Sequence, residues 1–258
     1  MIAVALVVLP GLTGAILKVV DWTEPAGEPL TATIIQGGVS QDRKWLREEF
    51  EPTLTHYRDE TIKAAGRDIV LWPEVAVPAV DDQVEGYIEA LESIARIGGQ
   101  TILFGILERQ TERTIEPKVH NSIIAVNGLN RQVYRKRHLV PFGEYFPVPP
   151  DVREWMAMLS LPHKDLSPGA AEQPLITTQD GTALAAAICY EDAYAAEMLY
   201  AFPEAGLIIN VSNDAWFGDS IAPHQHLQIA RMRSLETGRY TLRAANTGIS
   251  GFIGPKGK

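Results

Sequence analysis

Short apolar runs alternate with longer amphipathic stretches along most of this chain, and this alternation constrains the fold more than any other feature. The runs are rich in Ile, Val and Leu, as expected for strands buried on both faces. They lie at 32–36, 68–72, 101–107, 122–127, 184–189, 207–212, 241–245 and 250–253. The periodicity predicts helices near 41–65, 83–97, 193–202 and 223–239. The pattern favours an α/β fold in which helices cover sheets.

The two ends of the chain differ from this pattern. Residues 1–20 are almost entirely apolar and long enough, as a helix, to span a bilayer core of about 30 Å, so we predict a transmembrane helix there. A buried strand–turn–strand is the alternative. Residues 21–30 form a connector, and 31–258 form one domain. At 250–258 a strand and a Pro/Gly turn have no return strand, so we expect an incomplete C-terminus.

Composition excludes several classes of function. The formal net charge of −9 argues against binding to a nucleic-acid backbone, and a hydrophobic content of 46% argues against disorder. The single cysteine, Cys189, excludes an internal disulfide and any Cys-rich metal site. His224 and His226 are two residues apart on a predicted helix and point to different faces, which makes them a poor metal pair. We therefore expect no metal and no cofactor.

Cys189 ends an apolar run and precedes a predicted helix. A strand-to-helix turn exposes a side chain near backbone N–H groups and the positive end of a helix, which lowers the pKa of a thiol. The acidic neighbours Glu191 and Asp192 oppose this effect, so a nucleophilic cysteine would need a base or a cation nearby. From this context alone, a nucleophile and a small core residue are equally supported.

Two charged residues could supply that chemistry. Glu74 follows the run 68–72 and could act as a general base at the carboxyl edge of the sheet, or could simply be a solvated strand-end charge. Lys136 ends another strand-like run and could stabilise an oxyanion, or could belong to a solvated basic cluster with Arg135 and Arg137. Taken singly, each residue fits the structural explanation better.

The long connection at 141–170 is rich in proline and aromatic residues. Connections of this length often form lids or binding loops. A short helix packed on the core explains the same segment equally well. The apolar residues within it are Trp155, Met156, Met158, Leu159 and Leu161.

Three motifs, taken in order, resemble those of the carbon–nitrogen hydrolase (nitrilase) superfamily. They are WPE at 72–74, the lysine at 136 and CYE at 189–191. The resemblance implies an α-β-β-α sandwich with a Glu–Lys–Cys triad formed by Glu74, Lys136 and Cys189. It also implies that Glu74 is the general base, Cys189 the nucleophile and Lys136 the oxyanion stabiliser.

The flanking sequences resemble, more narrowly, the bacterial apolipoprotein N-acyltransferase family. They include LWPEVAVP, YRKRHLVPFGEYFP, AAAICYED and NVSNDAWFGDSIAPHQH. This resemblance implies acyl transfer from a phospholipid, through a cysteine thioester, to the N-terminal amine of a diacylglyceryl-cysteine lipoprotein. It further implies a monomer in the bacterial inner membrane, with the catalytic domain on the periplasmic side and without a nucleic-acid partner.

The same resemblance assigns supporting residues. Glu144 matches a second glutamate that supports the triad, while Tyr190 and Glu191 flank the nucleophile and shape its pocket. Four further residues are expected to contact substrate, namely Trp45, Trp216, Trp155 and Met158. A soluble amidase or nitrilase that acts on a small amide or nitrile is the alternative enzyme, and a lipid- or lipoprotein-binding domain without turnover is the alternative outside catalysis.

Overall fold

The computed structural model describes residues 2–20, 22–110, 117–149, 151–152 and 165–258. Its α-helices are α1 (Ile2–Leu17), α2 (Arg47–Lys63), α3 (Glu85–Gly98), α4 (Ala195–Met198) and α5 (Ala222–Thr237). Its first six strands are β1 (Ala32–Ile34), β2 (Ile69–Leu71), β3 (Val77–Val80), β4 (Thr101–Gln110), β5 (Lys118–Val126) and β6 (Arg131–Arg135). The other strands are β7 (Ile176–Thr177), β8 (Ala183–Ile188), β9 (Leu207–Ser212), β10 (Tyr240–Ala245) and β11 (Gly251–Ile253).

The strands form two mixed sheets. The first has the order β1-β2-β4-β5-β6, with β3 paired to β4 off this path. Its β1, β2 and β4 are parallel, and β4, β5 and β6 are antiparallel. The second sheet has the order β11-β10-β9-β8-β7, in which β8, β9 and β10 are parallel. Parallel strands end at a common edge, which gathers the residues that follow them.

The layers follow from the alternation of side chains along each strand. On β2, Val70 packs with α2 and α3, whereas Ile69 and Leu71 face the second sheet. On β8, Ala186 and Ile188 complete that core between the sheets, and the alternate alanines pack with α4 and its neighbours. Because helices cover the outer face of each sheet, the architecture is the predicted α-β-β-α sandwich.

The buried strands and helices lie close to their predicted positions. For example, β9 spans the predicted residues 207–212, and α5 begins within one residue of its predicted start. Two short strands, β3 and β7, had no predicted run of their own, whereas β6 is the strand-like run that Lys136 ends. Strand β3 has four residues that include Pro78, and β7 has only two, so both are too short to show a strand pattern.

Residues 1–20 contain the helix α1, not a strand–turn–strand. This helix has 16 residues with Pro10 inside it, and its described side chains are exposed. Across the described part of the chain, no helix combines the length and the apolar character that crossing a membrane requires. The assignment of 1–20 as a membrane helix, of 21–30 as a connector and of 31–258 as one domain stays a prediction.

Candidate active site

The ends of strands from both sheets bring the predicted triad into one region. Glu74 follows β2 and Lys136 follows β6 in the first sheet, whereas Cys189 follows β8 in the second. The backbone continues the strand pairing up to these residues, since Lys136 N donates to Asn121 O at 2.8 Å. The sandwich thus places an acid, a cation and a thiol from three distant segments at one edge.

Lys136 is the centre of a buried ion-pair group. Its side chain is only 1% exposed, and Nζ lies 3.2 Å from Glu74 Oε1. The same Nζ lies 3.0 Å from each carboxylate oxygen of Glu144. Lys136 therefore does not belong to a solvated basic cluster, and Glu74 is not a solvated strand-end charge.

Asn121 joins the same two glutamates from the other side, a role that the sequence did not reveal. Its Nδ2 donates to Glu74 Oε1 at 2.8 Å and to Glu144 Oε1 at 2.7 Å. Val140 N adds a 2.8 Å bond to Glu144 Oε2. The only sequence signal for Asn121 is a polar residue at the start of an apolar strand, which many surface strands share.

The lysine remains charged in this environment. Burial by itself lowers the pKa of Lys136, but the charges of Glu74, Cys189 and Glu144 outweigh burial and raise this pKa well above its ordinary value. A buried ammonium with two carboxylate partners is a fixed positive charge beside the thiol. Such a charge can stabilise an oxyanion without reorganising.

Cys189 occupies a turn with unusual backbone geometry. It begins the 3₁₀ helix Cys189–Ala193 and has φ = 57°, in the left-handed region that few residues other than glycine adopt. Asn210 Nδ2 donates to Cys189 O at 3.1 Å and helps to fix the turn. Because strained backbone concentrates at functional sites, this geometry supports the nucleophile over a simple core residue.

The thiol is held protonated, which corrects one expectation. The strand-to-helix turn was expected to lower the pKa of Cys189, but burial raises it to about 12, and the negative charge of Glu74 adds to the effect. Lys136 and a hydrogen bond with Ser212 only partly oppose these influences. A thiol of this kind needs a base that takes its proton during attack, and Glu74 is the carboxylate that couples to it most strongly.

The turn that carries Glu74, after β2, has a constrained backbone like that of the turn at Cys189. Val75 has φ = 46°, which is a genuine outlier for a β-branched residue. Gly105 on β4 permits this turn, because a Cβ there would lie 2.4 Å from both Pro73 O and Val75 N. Lys44 Nζ donates to Glu74 O at 3.1 Å, and burial lowers the pKa of Lys44 to about 8.

Glu191 connects the nucleophile turn to the Lys136 segment. Its Oε2 accepts from Ile188 N at 2.7 Å, and its Oε1 accepts from Arg137 N at 2.7 Å. Burial raises the pKa of Glu191 in spite of these bonds. Tyr190 OH donates to Leu139 O at 2.9 Å, so it too ties the turn to the segment after Lys136. Both residues join the nucleophile turn to the segment that carries Lys136, and their supporting role stays a prediction.

The predicted substrate-contacting residues divide into two groups. Trp45 is 53% exposed and Trp216 is 69% exposed, on two segments that a 2.9 Å hydrogen bond from Asn213 Nδ2 to Gln41 Oε1 joins. Trp155 and Met158 lie outside the described residues, together with most of the apolar part of 141–170. The described start of that connection carries Glu144 and an exposed Phe142.

The histidines and acidic residues of the described segments form no group of three or more metal ligands. His224 is exposed and His226 is buried, so the two point apart as predicted. His226 instead forms ion pairs with Asp192 and Asp214. This arrangement lies behind the nucleophile turn and was not foreseen from the sequence.

Comparison with known proteins identifies the family of this chain. Residues 31–258 match the carbon-nitrogen hydrolase family. The chain is 44% identical to an apolipoprotein N-acyltransferase of Methylococcus capsulatus, over 98% of this chain and 49% of that protein. It is 40% identical to one from Azotobacter vinelandii, over 99% of this chain and 49% of that protein. The chain thus spans about half the length of the curated relatives that it matches.

A solved structure supports the same fold. A CN-hydrolase superfamily protein from Xanthomonas campestris superposes with a TM-score of 0.64 and 16% identity, covering 90% of this chain and 85% of that one. The predicted fold class and the predicted similarity to apolipoprotein N-acyltransferases are both confirmed. With its sandwich, its sequence match and the clustering of Glu74, Lys136 and Cys189, the chain belongs to the carbon–nitrogen hydrolase family.

Proposed function

We propose that this chain carries the catalytic site of an N-acyltransferase that matures bacterial lipoproteins. The acyl donor is a phospholipid, and the acceptor is the free α-amine of a diacylglyceryl-cysteine at a lipoprotein N-terminus. One observation carries the proposal. The Lys136 ammonium, paired with Glu74 and Glu144, lies beside a thiol on a strained turn, in a chain 44% identical to a protein named for this reaction.

The first half-reaction forms a thioester. Glu74 accepts the proton of Cys189 as the sulfur attacks an ester carbonyl of the phospholipid. The Lys136 ammonium and N–H groups in the first turn of Cys189–Ala193 stabilise the oxyanion. The bond from the carbonyl carbon to the glycerol oxygen then breaks, and Glu74 returns the proton to that oxygen. The products are a lysophospholipid and an acyl-cysteine.

The second half-reaction forms the amide. The lipoprotein amine attacks the thioester carbonyl, and Glu74 accepts a proton from the attacking nitrogen. The carbon–sulfur bond breaks, and Glu74 returns the proton to the Cys189 sulfur. Because the thioester must survive until the amine arrives, water has to be kept from it. We assign this shielding to the apolar loop 141–162 and the adjacent membrane, with Trp45 and Trp216 along the path that admits the lipid chains.

The proposal includes a place of action. A lipid donor and a lipid-modified acceptor both require a membrane, and the apolar residues 1–20 support attachment there. We place the site on the periplasmic side of the bacterial inner membrane and propose a monomer, because the side chains of the triad all come from one chain. The acidic net charge of −9 supports the absence of a nucleic-acid partner.

The test is the intact mass of the purified protein after incubation with phosphatidylethanolamine in detergent. A mass gain of one fatty acyl group, removed by hydroxylamine, is expected for the wild-type chain. Cys189→Ala should show no gain, and Cys189→Ser provides a matched control because its oxyester resists hydroxylamine better than a thioester. No acyl gain in a wild-type protein that contains its complete membrane part would refute the phospholipid donor and would favour a small amide substrate.

A further inference from the structure

Four buried charged side chains lie directly behind the Cys189 turn, and the proposed chemistry does not use them. They are Asp192, Asp214, His226 and Arg243, which we call the charge cluster. Asp192 lies in the turn helix itself, and Asp214 follows β9. His226 comes from α5, and Arg243 comes from β10. Four elements thus meet at one set of charges.

Asp214 is the best-bonded member of the charge cluster. Its Oδ1 accepts from His226 Nδ1 at 2.8 Å and from Ser212 Oγ at 2.9 Å. Its Oδ2 accepts from Arg243 Nη2 at 3.1 Å. Although burial raises the pKa of Asp214, the bond from His226 and the charges of His226 and Arg243 lower it overall.

Asp192 is held differently, by charge and not by hydrogen bonds. Its Oδ1 lies 3.4 Å from His226 Nε2, and its Oδ2 lies 3.7 Å from Arg243 Nη1. Among the described residues neither oxygen has a hydrogen-bond donor, although both are buried. A buried carboxylate in this position is tolerated only while nearby cations compensate its charge.

The charge cluster is therefore balanced, with two carboxylates facing two cations. Arg243 is always charged. Burial by itself lowers the pKa of His226, but Asp192 and Asp214 outweigh burial and raise it to about 9, so the imidazole is protonated at neutral pH. Outside the charge cluster, Arg233 lies on the same helix as His226 and also contacts the Cys189 turn. Its Nη1 donates to Asp192 O at 3.1 Å.

The charge cluster is linked to Cys189 through two sets of contacts. Arg243 Nη1 bonds Asn210 Oδ1, and Asn210 Nδ2 holds Cys189 O at 3.1 Å. Ser212 Oγ donates to Asp214 Oδ1 at 2.9 Å, and both residues act on the pKa of the Cys189 thiol, which Ser212 lowers and the charge of Asp214 raises. Loss of one cation from the cluster would therefore leave a net negative charge that the sulfur senses.

We propose that His226 is a positioning residue, whose positive charge balances Asp192 and Asp214 so that the turn keeps its left-handed conformation and the Cys189 thiol keeps its reactivity. This inference rests on the proposed role of Cys189 as nucleophile. It adds a residue that touches neither substrate nor sulfur. Because burying charges costs desolvation energy, we assign the cluster to the conformation of the turn and not to the overall stability of the fold.

The test is the rate at which iodoacetamide alkylates Cys189 in the 258-residue chain, followed by intact mass between pH 7 and 8. His226→Asn keeps a donor for Asp214 but removes the charge, and should slow alkylation about threefold to tenfold because thiolate is the reacting form. The double variant His226→Asn with Asp214→Asn restores the balance and should return the rate to within about twofold of wild type. His224→Asn, an exposed histidine on the same helix, should leave the rate unchanged.

The possible results distinguish an effect of the His226 charge from a loss of the folded structure. Unfolding exposes the thiol and accelerates alkylation, so a slower reaction cannot come from a misfolded variant. A double variant as slow as His226→Asn, or an unchanged rate in His226→Asn, overturns the inference. If His226→Asn shows no melting transition, the single variant Asp214→Asn decides the test. We expect its Cys189 to be alkylated about threefold to tenfold faster than in wild type while the protein keeps its melting transition, and any other rate overturns the inference. A wild-type Cys189 that no alkylating reagent modifies would instead contradict its role as nucleophile.

Discussion

The ammonium nitrogen of Lys136 lies 3.2 Å from Oε1 of Glu74, in a site where the lysine is almost completely buried. The same nitrogen and the Asn121 amide also hold Glu144, so two carboxylates share two donors. One cation faces two anions, and the excess negative charge acts on the neighbouring thiol. Burial raises the pKa of Cys189 and the charge of Glu74 adds to that effect, so the thiol stays protonated at rest and a base must accompany its attack.

Glu74→Gln should separate the base from the hydrogen-bond network. The glutamine carbonyl still accepts from Lys136 and Asn121, but the side chain can no longer take a proton. We expect acyl-enzyme formation to fall about 10²- to 10⁴-fold. Alkylation of Cys189 should become faster, because Glu74 contributes to the raised pKa of the thiol. Glu60→Gln, at an exposed carboxylate on α2, is the matched control, and equal losses in both assays would contradict the role of base.

Lys136→Met should destabilise the protein in a pH-dependent way. Removing the cation leaves two buried carboxylates without compensation, at a cost of about 3–5 kcal/mol in the free energy of unfolding at pH 8. Because a bound proton removes the uncompensated negative charge, the penalty should be smaller at pH 5.

Denaturant titration at pH 5 and pH 8 measures this difference. Lys63→Met, at an exposed lysine paired with Glu60, should leave stability nearly unchanged at either pH. A penalty for Lys136→Met that does not depend on pH would mean that the carboxylates find another partner.

Gly105→Ala should damage the site through the backbone. The added Cβ would lie 2.4 Å from Pro73 O and 2.7 Å from Glu74 Cα, and backbone atoms cannot move aside as a flexible side chain can. We expect a loss of about 1–3 kcal/mol in stability and a larger proportional loss of acyl transfer, since Glu74 must shift. Gly86→Ala, in the first turn of α3, meets no atom within 4 Å and should be neutral or slightly stabilising.

The alkylation rate of Cys189 should depend steeply on pH. With a pKa of about 12, the thiolate fraction increases about tenfold for each pH unit between 7 and 9. The chain unfolded in denaturant should instead level off near the ordinary thiol value of about 8.5. The pKa of the Cys189 thiol is higher in the folded chain than in the unfolded chain. The thiol therefore stabilises the fold fully below its unfolded-state pKa, and this contribution is lost as pH rises through its folded-state pKa. A plateau below pH 8 in the folded chain would contradict this assignment.

Much of the fold could be predicted because buried strands carry their pattern in the local sequence. The runs that became β2, β4, β8 and β9 are apolar on both faces, and this property needs no knowledge of their partners. The strand β7 was not predicted, because it has only two residues and its pairing with β8 defines it more than its side chains do.

The triad residues could be proposed from sequence since each follows an apolar run, and their motifs resemble a known superfamily. Asn121 and Gly105 carried no such signal. Asn121 matters because β5 places its amide between two glutamates from other segments, and Gly105 matters because the Glu74 turn passes against it.

The sequence by itself determined the layered class of the fold, the identities of Glu74, Lys136 and Cys189, and the family to which they point. Only the tertiary structure decided the protonation of Lys136 and Cys189. The turn after β8 was expected to favour a thiolate, but burial and the charge of Glu74 raise the pKa of Cys189. Local sequence records which groups are present, whereas solvent exclusion and the distances between charges arise only when distant segments pack together.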